Sequence, residues 1–363
     1  MPLAEPLQQI DRTFVRHRGR KLVYFGGCDY FRLASHPDVL HSLSEGAQKF
    51  GLNVAASRST TGNHAVFGEL EKKLANFFNR ERAALFSTGY ATNLAVTSAF
   101  AGHFTHTIMD ERSHGSLRDA AQFCGCAPIT FRHRDADDFR RVVKACGRVA
   151  RPLVLTDGMF SHDGSLAPLN AYLEVLPRTA MLLVDDAHGA GTLGKTGKGT
   201  PEVCGVRDAR VVQTISLSKA LGVYGGAVLG SAAVIHVVQE RSRVFNGNTP
   251  LPPPLANAAL TSLTILRRDH SLRARLHGNT ARIKEALDSE QWSIPRNQSP
   301  IVSVIPRTDG HASNLSRALL RAGIFPPQIR YANRPAFFRF AISSEHTSVQ
   351  LDRLAEVLAS VAH

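Results

Sequence analysis

The chain of 363 residues has no apolar run approaching the ~20 residues that a membrane-spanning helix requires. Its first stretch, Met1 to Tyr24, is interrupted by Glu5, Asp11, Arg12, Arg16, Arg18 and Arg20, so the apolar core of a secretory leader is missing there. Cysteine is scarce. Cys28, Cys124, Cys126, Cys146 and Cys204 form an odd set with no framework spacing. Cys124 and Cys126 stand too close for the usual zinc pair and no second pair follows, so no metal site is expected. Reduced thiols in a cytoplasmic setting are the expectation. Acidic side chains are also short, 30 against 43 basic ones, which leaves a net charge of +13. Such an excess raises nucleic-acid binding as a reading. Against it, the basic residues are scattered, and their densest group, Arg16 to Lys21, has no accompanying series of aromatics to stack on bases. No nucleic-acid partner is therefore expected. The charge is read as a bias toward anionic small molecules such as phosphates and thioester carriers. Internal repeats and low-complexity linkers are absent as well.

What is present is an alternation of strand-length apolar runs with longer amphipathic ones. Candidate strands are Ala83–Thr88, His106–Asp110, Leu153–Asp157, Met181–Asp186, Val211–Leu217 and Ala227–Gly230. Before the first of them, Val66, Phe67, Leu70, Leu74, Phe77 and Phe78 recur at helical spacing, with Glu69, Glu71, Lys72 and Lys73 outside. Strands separated by helices predict a mainly parallel sheet covered on both faces. After about Gly230 the pattern changes. Pro250 to Pro254 breaks the chain, then a helical stretch, a strand at Ile301–Ile305, a helix at Ala312–Ala322 and a strand at Phe338–Ile342 follow. Thr347 and Gln350 have the spacing of a capping box before a final helix. The expected organisation is an N-terminal segment (1–45), a large domain (46–245) and a smaller α+β domain (246–363).

Three predicted strand ends carry chemistry. Ser87 to Asn93 is a small-residue turn into a helix, and free N–H groups at a helix start suit a phosphate. Val184-Asp185-Asp186-Ala187-His188 ends a strand in two carboxylates and a histidine, in the crevice where α/β sheets bind ligands. An aspartate there can keep a pyridine nitrogen protonated; a helix cap or a metal ligand are the plainer alternatives. Ser216-Leu217-Ser218-Lys219 sets a lysine directly after an apolar strand, where burial lowers an amine's pKa toward nucleophilic use. Each signal alone is weak.

In this order the three resemble the fold-type-I pyridoxal-phosphate enzymes, and more narrowly the α-oxoamine synthases. The likeness runs nearly end to end, through Phe25 to Pro37, Ser57-Arg58, Thr61-Gly62, Leu70-Glu71, Ser113 to Ser116, Phe160 to Leu169, Ser299 to Ile301 and Arg339 to Ser343. It implies an aspartate-aminotransferase-like α/β fold, a large domain with a mainly parallel sheet plus the smaller α+β C-terminal domain, and pyridoxal 5'-phosphate as cofactor. It implies that Lys219 holds the cofactor as a Schiff base and then moves the proton at the substrate's α-carbon. Asp185 would face the pyridine nitrogen, His188 and Ser161 the phenolic oxygen, and His114 the ring face. Gly89, Tyr90 and Ser216 would hold the phosphate, and Arg339 the amino acid's carboxylate. Asn246 to Pro250, including Thr249, matches a segment that reaches the neighbouring subunit's cofactor, implying a homodimer with shared sites. The implied reaction joins an amino acid, alanine as the leading expectation, to an acyl thioester on coenzyme A or a carrier protein, a pimeloyl chain leading. A glycine- or serine-using relative and a catalytically inactive partner subunit are the competing readings. Asn53, Phe67 and Cys28 depart from the family pattern, as do Ser216 and Lys198 more mildly.

Overall fold

The computed structural model describes residues 5–9, 11–287, 292, 294–330 and 336–361. It divides into two compact units, one formed by 36–160 and 166–268, the other by 1–35, 161–165 and 269–363. In the larger unit a seven-stranded sheet is built from β1 (Arg82–Phe86), β2 (His106–Asp110), β3 (Pro128–Phe131), β4 (Pro152–Asp157), β5 (Met181–Asp185), β6 (Val211–Ser216) and β7 (Gly226–Gly230). Their order is β1-β7-β6-β5-β4-β2-β3, parallel except for β7, which runs antiparallel to both neighbours. Strands β4, β5 and β6 are buried along their whole length, so none of them shows the strict apolar–polar alternation of a half-exposed strand, and β6 buries Gln213, Thr214 and Ser216 with its apolar residues. One strand of this sheet was not expected. β3 starts at a proline on the sheet edge and buries only Phe131, so it carries almost no hydrophobic signal.

The parallel strands all end on one side, and four of those ends carry an aspartate or a serine: Asp110, Asp157, Asp185 and Ser216. Next to Asp185, Asp186 turns into a separate nest. It accepts from the Thr200 N–H at 3.0 Å, the Thr200 hydroxyl at 2.7 Å and the Gln213 amide at 2.8 Å. Burial pushes its carboxyl up to about 7 against those donors. A Cβ on Gly158, Gly189 or Gly199 would meet an Asp186 oxygen at 2.5, 2.2 or 1.8 Å, so the chain can wrap this carboxylate only with glycine.

In the smaller unit, Ile301–Val304, Phe337–Ala341 and Gln328–Ile329 form an antiparallel sheet, with the helices His270–Ala286, Asp309–Arg321 and Ser348–Ser360. Phe25, Ile283, Leu315, Phe338, Phe340 and Leu354 make its core. The capping box is formed: Gln350 N–H donates to the Thr347 hydroxyl at 3.3 Å, and Thr347 N–H to the Gln350 side chain at 3.0 Å. The N-terminal residues belong to this unit rather than standing apart. Val23 N–H donates to the Gly323 carbonyl, the Val23 carbonyl accepts from Phe325 N–H, and Ala341 N–H donates to the Phe25 carbonyl. The larger unit also continues beyond residue 245 to Arg268. The helix Pro253–Arg268 packs on the helix Pro37–Phe50, with Asn257 donating to the Ser42 carbonyl at 2.8 Å and Pro254 against Gly46.

Gly199→Ala must both strain a backbone at φ 88° and displace the Asp186 carboxylate. We expect a stability loss of about 3 kcal/mol, read as a lower urea midpoint with unchanged slope.

Candidate active site

The helix Gly89–Ala99 begins where β1 ends, and the Thr88 hydroxyl caps it by accepting from Ala91 N–H at 3.0 Å. Among the described residues nothing accepts from the N–H groups of Gly89 and Tyr90, so two donors at the positive end of this helix stay open. Glycine is required at the turn. A Cβ on Gly89 would lie 2.8 Å from the Ser216 Cβ, and one on Gly226 would lie 2.6 Å from the Thr88 carbonyl oxygen. The ends of β1 and β6 and the start of β7 thus close on one another around those donors. Ser216 turns its hydroxyl to Ser218 at 2.7 Å. Tyr90 is exposed, and its phenol donates to Asp119, which raises its pKa.

Asp185 ends β5 with only 7 % of its surface exposed. Its Oδ2 accepts from the Asn93 amide at 2.6 Å and from the Ser116 hydroxyl at 3.3 Å, and its Oδ1 from Ala187 N–H at 3.1 Å. Asn93 is fully buried, and its Oδ1 accepts from the Thr214 hydroxyl at 2.7 Å, which fixes which way the amide points. His114 caps the helix Gly115–Ala121. Its Nδ1 accepts from Ser116 N–H at 3.2 Å and sits 2.8 Å from the Ser116 hydroxyl, so the ring proton is on Nε2. Its own N–H donates to Asp157 at 2.8 Å. Asp157 is buried at the end of β4. Burial, then the charge of Asp185, hold it well above the usual carboxylate range, while His114 N–H and the Lys219 ammonium pull the other way.

Lys219 lies in the tight connection from β6 to β7, where Leu217 N–H donates to Gly225, Val223 N–H to Leu217 and Gly222 N–H to Lys219. It is half-buried, less enclosed than the sequence suggested, and Ser218 beside it is exposed. His188 is buried in the turn after β5, where its carbonyl accepts from the Thr192 hydroxyl at 2.7 Å. Thr249 is exposed in the loop before Pro250. Two further expected residues fall in the smaller unit, where the Arg339 guanidinium donates to the Ser161 carbonyl at 3.1 Å. The structure therefore brings Gly89, His114, Asp185, Ser216 and Lys219 to neighbouring strand ends of the larger unit and pairs Arg339 with Ser161 in the other.

Asn93, Asp157 and Thr214 were not singled out from the sequence as site residues. Asp157 carries the same signal as Asp185, a carboxylate closing an apolar strand. Asn93 carried only its spacing, one helical turn after Gly89. Glu71, expected on the outside of its helix, is turned inward. It holds Arg58 in a fork, Nη2 to Oε2 at 3.0 Å, and accepts from Leu85 N–H at 2.9 Å.

Strand-end groups of this kind, with a glycine-walled pair of N–H donors, suit a phosphorylated aromatic cofactor held beside a lysine. A match to the family described as Aminotransferase class I and II spans residues 22–358, and the chain belongs to that family. It is 37% identical over 345 residues to an 8-amino-7-oxononanoate synthase of Thioalkalivibrio sulfidiphilus, covering 94% of this chain and 88% of that one. Among solved structures it is similar to a Sphingomonas wittichii serine palmitoyltransferase, with TM-score 0.91, 29% identity and coverage of 98% of this chain and 90% of that chain. It is likewise similar to the 8-amino-7-oxononanoate synthase of Francisella tularensis, with TM-score 0.80, 26% identity and coverage of 94% and 97%. The fold is that of the fold-type-I transferases.

Asn93→Ala removes the shortest of the donors on Asp185 and leaves a buried carboxylate under-bonded. We expect about 2 kcal/mol lower stability and about tenfold weaker retention of pyridoxal phosphate, measured by dialysis followed by absorbance. Retention equal to the parent's would show that Asn93 does not hold Asp185 for the cofactor.

Proposed function

We propose that this chain joins an L-amino acid, alanine, to an acyl thioester, a pimeloyl one on coenzyme A or a carrier protein, releasing carbon dioxide and the thiol and giving an α-aminoketone. This is the reaction of an 8-amino-7-oxononanoate synthase, a step in biotin synthesis, and it makes the chain a pyridoxal-phosphate-dependent acyltransferase. The observation that carries the reading is Asp185, buried beneath Asn93 and Ser116 beside the Gly89 turn and Lys219, in a chain 37% identical to such a synthase over nearly its whole length.

When bound, the cofactor delocalises the electron pair left at the α-carbon. The protein's residues do the rest. Gly89 and Tyr90 N–H groups, with Ser216, bind the phosphate. Asp185 holds the proton on the pyridine nitrogen, its geometry set by Asn93 and Ser116. His114 packs along the ring face, its orientation set through Nδ1 by Ser116. His188 and Ser161 serve the phenolic oxygen. Lys219 takes the proton from the α-carbon and returns it after the carboxylate has left. Arg339 binds the amino acid's carboxylate as a planar fork. Thr249 and its loop reach the cofactor of a second subunit, in a homodimer. Among the described residues all five cysteines are unpaired, which fits a cytoplasmic setting, and no helix is long and apolar enough to cross a membrane.

A second reading keeps the chemistry and changes the substrates to serine and a long acyl chain, favoured by the similarity to serine palmitoyltransferase structures. Purified holoenzyme offered alanine, glycine and serine with acyl thioesters of graded length separates the two by thiol release and product mass. Turnover with alanine and the pimeloyl thioester is expected. Turnover only with another pair refutes the named substrates while leaving the reaction class standing. Lys219→Ala should lose the visible absorbance of lysine-bound cofactor and at least about 10³-fold in turnover; undiminished turnover would refute the role given to Lys219.

A further inference from the structure

At the opposite end of the seven-stranded sheet from Asp185 and Ser216, a cavity of about 330 Å³ opens beside the start of β6 and the end of β7. Arg80, Lys198 and Arg207 line it, together with the acids Glu81, Glu202 and Asp208. Each acid is already engaged. Glu202 accepts from Thr196 N–H, the Thr196 hydroxyl and Lys198 N–H, all at 2.9 Å. Asp208 is paired with Arg210 at 2.7 Å. Glu81 accepts from Ala232 N–H at 2.8 Å, at the positive end of the helix Ala232–Arg241.

The three cations are different. Among the described residues, no carboxylate lies within 4.0 Å of their side-chain nitrogens, and no oxygen accepts a hydrogen bond from them. Arg207 is exposed, and an exposed cation needs no partner. Arg80 is half-buried, and burial lowers its pKa, opposed by the more distant Asp186. The Arg80 side chain lines the cavity, where an anion entering from solvent can meet the guanidinium. Gln213 forms part of the wall. Its amide nitrogen is used by Asp186 and by the Lys198 carbonyl, while its buried amide oxygen has no donor.

We propose that this cavity binds a small phosphate-bearing anion, gripped by the fork of Arg80 and closed over by Lys198 and Arg207. A guanidinium offers paired N–H donors that match two oxygens of one phosphate, and two flanking cations suit a second anionic group. The site is separate from the open N–H groups at Gly89, which lie at the other end of the strands. It goes beyond the proposed condensation and does not depend on it.

The test is calorimetric titration of pyrophosphate into holoenzyme at low salt, with the cofactor already filling its own phosphate site. One saturable site per chain is expected. Arg80→Gln, and separately the double variant Lys198→Gln with Arg207→Gln, should each weaken it at least tenfold while turnover stays at the parent's level. The double variant, with Arg207 exposed and Lys198 half-buried, keeps the question open to test should Arg80→Gln fail to fold. No saturable binding to the parent, or binding unchanged in the folded variants, overturns the proposal. Binding of citrate in preference to pyrophosphate overturns the phosphate class.

Discussion

A carboxylate can be kept under a sheet only if donors meet its oxygens, and at Asp185 those donors come from helices on the far side of two different turns. Asn93 is reached through the Gly89 turn after β1, and Ser116 through the turn that contains His114. Because the amide of Asn93 is itself oriented by Thr214 on β6, three strand ends are tied to one oxygen pair. Loss of this tie would loosen the Gly89 N–H groups, the His114 ring and the Asp185 carboxylate together. Adjacent Asp186 shows the contrast. Its three donors and its glycine wrapping make it part of the scaffold, so of two neighbouring aspartates one closes the loop behind the strand and the other faces the site.

The same arrangement explains the buried neighbour Asp157. Its burial, with Asp185 close by, disfavours a second full negative charge and raises its pKa, opposed by the His114 N–H from which it accepts.

Much of this was legible in the residues. The strands at 106–110, 153–157, 181–186 and 211–217 were marked by short segments rich in apolar and β-branched residues without strict alternation, because strands buried on both faces have no reason to alternate. Asp185, His188 and Lys219 were marked by their place at the ends of such runs. What was not legible depended on partners distant in sequence. Glu71 sits among outward-facing charges and turns inward only because Arg58 waits there, itself stacked over Phe67 at 5.2 Å and Phe245 at 5.3 Å. Phe67, which departs from the family pattern, is thus a buried platform for Arg58 rather than a side chain presented to substrate. Asn93 sits in an apolar helix face with nothing local to show that Asp185 lies 2.6 Å away. The edge strand at 128–131 was invisible because one buried residue makes no pattern.

Fold and catalytic groups do not choose the acyl chain. Structures named as serine palmitoyltransferase and as 8-amino-7-oxononanoate synthase both superpose on this chain, with TM-scores of 0.91 and 0.80. Of these two structures the first is also slightly more identical in sequence, 29% against 26%, whereas a different 8-amino-7-oxononanoate synthase reaches 37%. The substrates differ most sharply in charge. A pimeloyl chain ends in a carboxylate, and a palmitoyl chain is apolar to its tip. Added methylenes change binding in steps of about 1 to 3 kcal/mol each, but a buried carboxylate without a cation costs more than several such steps. A pocket built for one therefore excludes the other through a single terminal contact, and that contact can change while Lys219, Asp185 and His114 stay as they are.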